Sequence, residues 1–120
     1  MILKPKKVGW IEVICGSMFS GKTEELMRRI RRAEIANLSV SIYKPNIDSR
    51  YSKSHIVSHN KIKMVSHNIK KPIDIIKLAK KDEVIGIDET QFFDYSIIDV
   101  CKNLASGGKR VLVAGLDTDY

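Results

Sequence analysis

Residues 16–23 place two glycines five positions apart and follow the second with a lysine and a threonine: Gly16, Ser17, Met18, Phe19, Ser20, Gly21, Lys22, Thr23. Glycine tolerates the positive φ values by which a short loop turns successive backbone N–H groups toward one point, so the stretch can form a cradle for anions. Lys22 then supplies a cation for the outer phosphates of a nucleotide, Thr23 a hydroxyl ligand for Mg2+, and the start of a helix adds its partial positive charge. This P-loop pattern, G-x-x-x-x-G-K-[ST], restricts the fold as well as the chemistry, because it works only where a strand runs into a helix. Both flanks comply. "WIEVIC" before the loop is rich in aromatic and β-branched residues and predicts a buried strand. After it, Leu26, Ile30 and Ala33 recur at helical spacing with Met27 and Ala36 beside them, and Arg28, Arg29, Arg31 and Arg32 fill the remaining arc.

The rest of the chain alternates in the same way. "SVSIYK" (39–44) reads as a second strand and 45–54 as a polar loop. The runs "HIVSH" and "KMVSH" flank Asn60-Lys61 and predict a hairpin, although Val-Ser-His-Asn occurs twice here, eight residues apart. Pro72 opens a helix through about Lys80, "EVIGID" (83–88) is a third strand, 94–106 a helix stopped by Gly107-Gly108, and "RVLVAGLD" (110–117) a fourth strand. Strands separated by helices imply right-handed crossovers. The expected fold is therefore α/β, a P-loop NTPase-like (RecA-like) three-layer sandwich with a mostly parallel sheet.

At 120 residues and 43% hydrophobic content the chain makes one domain, residues 1–120. No apolar run is long enough to span a membrane and no signal-peptide pattern is present, so no membrane role and a cytoplasmic location are expected. Cys15 and Cys101 fall in elements expected to be buried and in no paired metal spacing, which predicts free, reduced thiols. Charge is uneven. Residues 1–81 carry 18 Lys and Arg against 6 Asp and Glu, a balance of +12; residues 82–120 carry 3 against 8, a balance of −5. A cluster such as "RRIRR" can mark a nucleic-acid face, but no aromatic interleaving accompanies it, and a solvated helix face that attracts anionic nucleotides accounts for it. Nucleic acid is not the expected partner.

A P-loop protein needs an acid at the carboxyl end of a neighbouring strand to hold the Mg2+ shell. Asp88 follows the apolar "VIGI" as a Walker-B aspartate would, and the adjacent Glu89 is placed to take a proton from whatever attacks the γ-phosphate. Two classes of protein use such a glutamate. In a stand-alone ATPase module acting on nucleic acid it polarises water, and "DETQ" is similar to the D-E-x-Q box of some helicases; in a small-molecule kinase it deprotonates a substrate hydroxyl.

"GSMFSGKTEELMRRIRR", "YKPNIDSRYS", "VIGIDETQFF" and "GKRVLVAGLDTDY" together resemble, in order and over essentially the whole chain, the segments of the cellular-type (type II) thymidine kinases. The resemblance implies transfer of the ATP γ-phosphoryl group to the 5′-hydroxyl of thymidine or deoxyuridine. By the same resemblance Gly16 to Thr23 hold the ATP phosphates, Thr23, Asp88 and Asp48 stand at Mg2+, Glu89 is the catalytic base, and Arg50 of the D-x-R segment stabilises charge on the transferred group. Met18, Phe92 and Leu116 match positions of the thymidine pocket. Residue types alone leave Asp48 and Arg50 readable as a polar turn, and the three pocket residues as ordinary packing. The family also implies a homotetramer and a structural Zn2+ held largely by cysteines in a later segment; no such site can be built from Cys15, Cys101, His55, His59 and His67, and the histidines are expected at the surface. Cys15 stands where related sequences often carry another small residue. With the sequence ending at Tyr120, the chain is expected to be a shortened form that binds Mg-ATP weakly and phosphorylates thymidine little or not at all.

Overall fold

The structure is a computed structural model that describes residues 8–15, 21–46, 55–58 and 62–115. Five parallel strands form its centre: β1 (Trp10–Ile14), β2 (Val40–Pro45), β5 (His67–Ile69), β6 (Val84–Ile87) and β7 (Arg110–Ala114), in the order β1-β7-β6-β2-β5. A separate antiparallel hairpin consists of β3 (His55–Val57) and β4 (Lys63–Val65). The helices are α1 (Lys22–Ile35), α2 (Asp74–Leu78) and α3 (Ser96–Ser106), with a 3-10 turn at Thr90–Phe92.

Side chains alternate along each strand, and the alternation builds two cores, one on each face of the sheet. On one face Leu26, Met27, Ile30 and Ala33 of α1 pack on Ile14, Ile42, Val84, Leu112 and Ala114. On the other, Ile75 of α2 and Ile97, Val100, Cys101 and Leu104 of α3 pack on Tyr43, Ile85, Ile87, Val111 and Val113. The fold is thus α/β with a parallel five-stranded sheet between helical layers, as the strand-helix alternation predicts. A methyl at Gly86 would lie 3.1 Å from Ile30 Cδ1 and 3.2 Å from Leu26 Cδ1, so the bare backbone there lets α1 lie close on the sheet.

Several sequence expectations need correction. β1 is an edge strand among the described residues, with Trp10, Ile11 and Val13 exposed; its apolar composition does not reflect burial on both faces. Cys15 lies just beyond that strand and is exposed, whereas Cys101 is buried on α3. The helix expected from Pro72 to Lys80 contracts to Asp74–Leu78, because Lys71, Pro72 and Ile73 make a tight turn in which Asp74 N–H donates to Lys71 O and Ile75 N–H to Pro72 O. α3 begins at Ser96, where the Asp94 carboxylate accepts from the Ser96 N–H at 2.8 Å and turns the chain into the helix. The run "KMVSH" divides: Lys63–Val65 pairs in the hairpin, and His67–Ile69 leaves it to become a fifth parallel strand beside β2. His67 is exposed and stacks on Tyr43 with ring centroids 5.2 Å apart, His55 is only partly exposed, and His59 lies outside the described residues.

Candidate functional site

Gly21, at the head of α1, has φ 78, a left-handed conformation that an L side chain adopts at a cost. A methyl there would have room, with its nearest neighbour Glu24 Oε2 at 3.5 Å, so the backbone angle rather than crowding favours glycine. Lys22 and Thr23 follow as the first two helical residues, at the positive end of the helix dipole.

Across from them, β6 ends and Asp88 continues its line. Ile85 and Ile87 face α2 and α3, so Asp88 turns to the α1 face. It is 4% exposed. Its N–H donates to Tyr43 O of β2 at 2.9 Å, and its carboxylate accepts from Thr23 Oγ1 at 3.2 Å. Burial, with the neighbouring Glu89 charge, pushes the Asp88 carboxyl up to about 6, against hydrogen bonds from the Glu89 N–H and the Thr23 hydroxyl and the charge of Lys44. A buried carboxylate that is costly to ionise beside a hydroxyl is a pair of hard oxygen donors suited to a divalent cation, whose charge would offset that cost. Among the described residues no group of three or more His, Cys, Asp or Glu is gathered as a metal site.

Glu89 takes a left-handed turn, φ 53, immediately after Asp88, and Gln91 Nε2 donates to its Oε2 at 3.2 Å. The turn is pinned from below. Thr90, buried beneath it, donates from Oγ1 to Ala114 O at 2.6 Å and so ties the turn to the end of β7. Gly115 follows with φ +100, and a Cβ on it would come within 2.3 Å of Gln91 Oε1 and 2.8 Å of Thr90 N.

These groups share one cleft of about 610 Å³, bordered by Gly21, Lys22 and Thr23 on one side, Asp88, Glu89 and Phe92 on another, and Val57 and Ser58 of the hairpin on a third. That volume is in the range of a small-molecule site. Of the residues singled out from sequence, Gly21, Lys22, Thr23, Asp88, Glu89 and Phe92 therefore meet in one place, with Phe92 about half exposed along the rim. Gly16, Ser17, Met18, Phe19, Ser20, Asp48, Arg50 and Leu116 lie outside the described residues. Sequence reading passed over Lys44, whose charge acts on both Asp88 and Glu89, and the hairpin residues Val57 and Ser58. Lys44 had one available signal: it sits near the carboxyl end of a strand, the edge at which open α/β sheets bind ligands.

A thymidine kinase family model matches residues 9–120. A thymidine kinase of Rhodothermus sp. is 57% identical over 113 residues, which cover 94% of this chain and 53% of that protein. Those of Bacteroides thetaiotaomicron and Porphyromonas gingivalis are 51% and 53% identical, over 99% and 93% of this chain and 60% and 55% of their own lengths. The chain thus spans somewhat more than half the length of these relatives. With the family's pattern running along nearly all of its residues, the chain belongs to the thymidine kinase family.

Proposed function

We propose that this chain carries the phosphate-handling groups of a kinase that moves the γ-phosphoryl group of ATP to the 5′-hydroxyl of thymidine or deoxyuridine, in cytoplasmic salvage of DNA precursors. The observation that carries this reading is the meeting of Thr23 with Asp88 at 3.2 Å, with Glu89 next in the chain and Phe92 on the rim of the same cleft. In this reading the loop from Gly16 to Thr23 and the N-terminus of α1 bind the phosphates, and Lys22 meets their outer charge. Thr23 and Asp88, with Asp48, would hold Mg2+, which when bound neutralises charge on the phosphate oxygens. Glu89 accepts the proton of the attacking 5′-hydroxyl as the new P–O bond forms and the bond to ADP breaks. Arg50 stabilises the charge spread over the transferred group, and Met18, Phe92 and Leu116 border the nucleoside. Assembly as a homotetramer goes with the same family reading.

In the intact protein, Glu89→Gln is expected to keep Mg-ATP binding and to lose thymidine phosphorylation by about 10²–10⁴-fold, the scale of a general base. Lys22→Ala is expected to abolish transfer with little change in unfolding temperature, because that side chain serves a ligand and not the core. An unmodified protein that hydrolyses ATP rapidly without thymidine, and no faster with it, would instead favour an ATPase.

A further inference from the structure

Among the described residues, the hairpin that walls the cleft is not part of the central sheet, and β3 and β4 pair with each other alone. Its apolar hold on the body is Ile56, buried against the α1 side of the sheet, with Met64 packed beside it. Among the described residues, one polar tie to the body comes from Lys44. The Lys44 ammonium donates to the backbone carbonyl of His55, the first residue of β3.

Register explains why that lysine is in reach of both sides. Tyr43 of β2 pairs with Ile87 of β6, so Lys44 and Asp88 are the next step along two adjacent parallel strands. Tyr43 faces α2 and α3, and alternation turns Lys44 to the opposite face, the one Asp88 occupies. The lysine stem is partly buried there, and its charge acts on Asp88 and Glu89 while its N–H groups reach the hairpin. We infer that Lys44 is a positioning residue that latches the β3–β4 hairpin to the acidic edge of the cleft, holding the Val57–Ser58 wall in place over the site. The ammonium donates to the His55 carbonyl while its charge acts on Asp88 and Glu89, which a flexible stem with three donors allows. This goes beyond the proposed reaction, since the latch is a contact within the chain itself; its effect on turnover rests on that reading.

Hydrogen exchange separates the two. In the intact protein, Lys44→Met is expected to speed exchange of the hairpin amides of residues 55–58 and 62–65 by about tenfold while amides of α3 and β7 keep their rates, because losing one charge-assisted bond opens only the unit it ties down. Lys44→Arg, which keeps a cationic donor on a long stem, is expected to restore slow exchange. With thymidine and ATP, Lys44→Met should raise KM more than it lowers kcat. Unchanged hairpin exchange in Lys44→Met overturns the latch, whatever happens to turnover, and turnover lost without faster hairpin exchange assigns Lys44 to the substrate instead. Equal acceleration at every amide also overturns it, since that marks a general loss of stability. If the unmodified protein fails to phosphorylate thymidine, the exchange result still decides the latch.

Discussion

At the scale of single residues, the turn after β6 depends on Gly115, which has no side chain, and on the small side chain of Thr90. Gly115 combines a left-handed φ with a Cβ position already filled by Gln91 and the Thr90 backbone. Gly115→Ala therefore incurs backbone strain and overpacking together, and is expected to destabilise the protein by about 2–4 kcal/mol. Denaturant unfolding would measure this, and a loss under 1 kcal/mol would mean that the turn adjusts freely. Thr90→Val removes the bond to Ala114 O while keeping nearly the same volume, leaving a buried carbonyl short of a donor, for about 1–2 kcal/mol. Because Glu89 is adjacent to that threonine, Thr90→Val should also lower kcat, and unchanged kcat would show that Glu89 holds its place without the strut.

At the scale of elements, the β1 strand is joined to β7 by its backbone ladder, and one carboxylate adds side-chain ties from β1 to both β7 and α1. Glu12 accepts from Arg110 of β7, from Arg29 of α1 at 2.9 Å and from the Trp10 indole at 2.8 Å, while Arg29 also pairs with Glu25 at 2.7 Å. The Arg110 guanidinium, chiefly, holds the Glu12 carboxyl below its ordinary value of 4.5, with burial opposing and Trp10 and Arg29 assisting. The unfolded chain then takes up the proton at higher pH than the folded one. The network's contribution is complete at neutral pH and fades as pH falls below 4.5 through the lower folded value. Glu12→Gln should cost about 1 kcal/mol at neutral pH, a modest figure because solvent reaches and screens these groups. Urea titrations at pH 7 and at about pH 3 would test this. The variant and the unmodified protein should converge in acid; an equal gap at both values would mean that Glu12 acts by packing alone.

At the scale of the whole molecule, the two cysteines report different things. Cys101 packs between α3 and the sheet, and burial pushes its thiol up to about 11, so the reactive thiolate is scarce while the fold is closed. Cys15, which precedes Gly16 in the sequence, is exposed. Alkylation of the native protein followed by peptide mass analysis should modify Cys15 promptly and Cys101 only at the rate of global opening. Equal labelling of both would mean that α3 does not stay docked on the sheet.

The order of residues alone was enough to read the strand and helix on either side of Gly21, Lys22 and Thr23, the strand that leads into Asp88 and Glu89, and the alternation that makes the fold α/β. These are local: glycine at positive φ, apolar runs of strand length, and helical spacing at Leu26, Ile30 and Ala33 act within a few residues of one another. That "WIEVIC" supplies an edge strand among the described residues came from the tertiary structure, because the exposure of Trp10 and Val13 depends on what packs around them and not on their own hydrophobicity. The tertiary structure also decided that His67–Ile69 leaves the hairpin for the sheet, since three residues are too few to carry a periodicity and their pairing with Tyr43–Pro45 is set by distant partners. The meeting of Thr23 with Asp88, 65 positions apart in the chain, and the reach of Lys44 to both the hairpin and the acidic pair arise from the register of parallel strands, which no local pattern encodes.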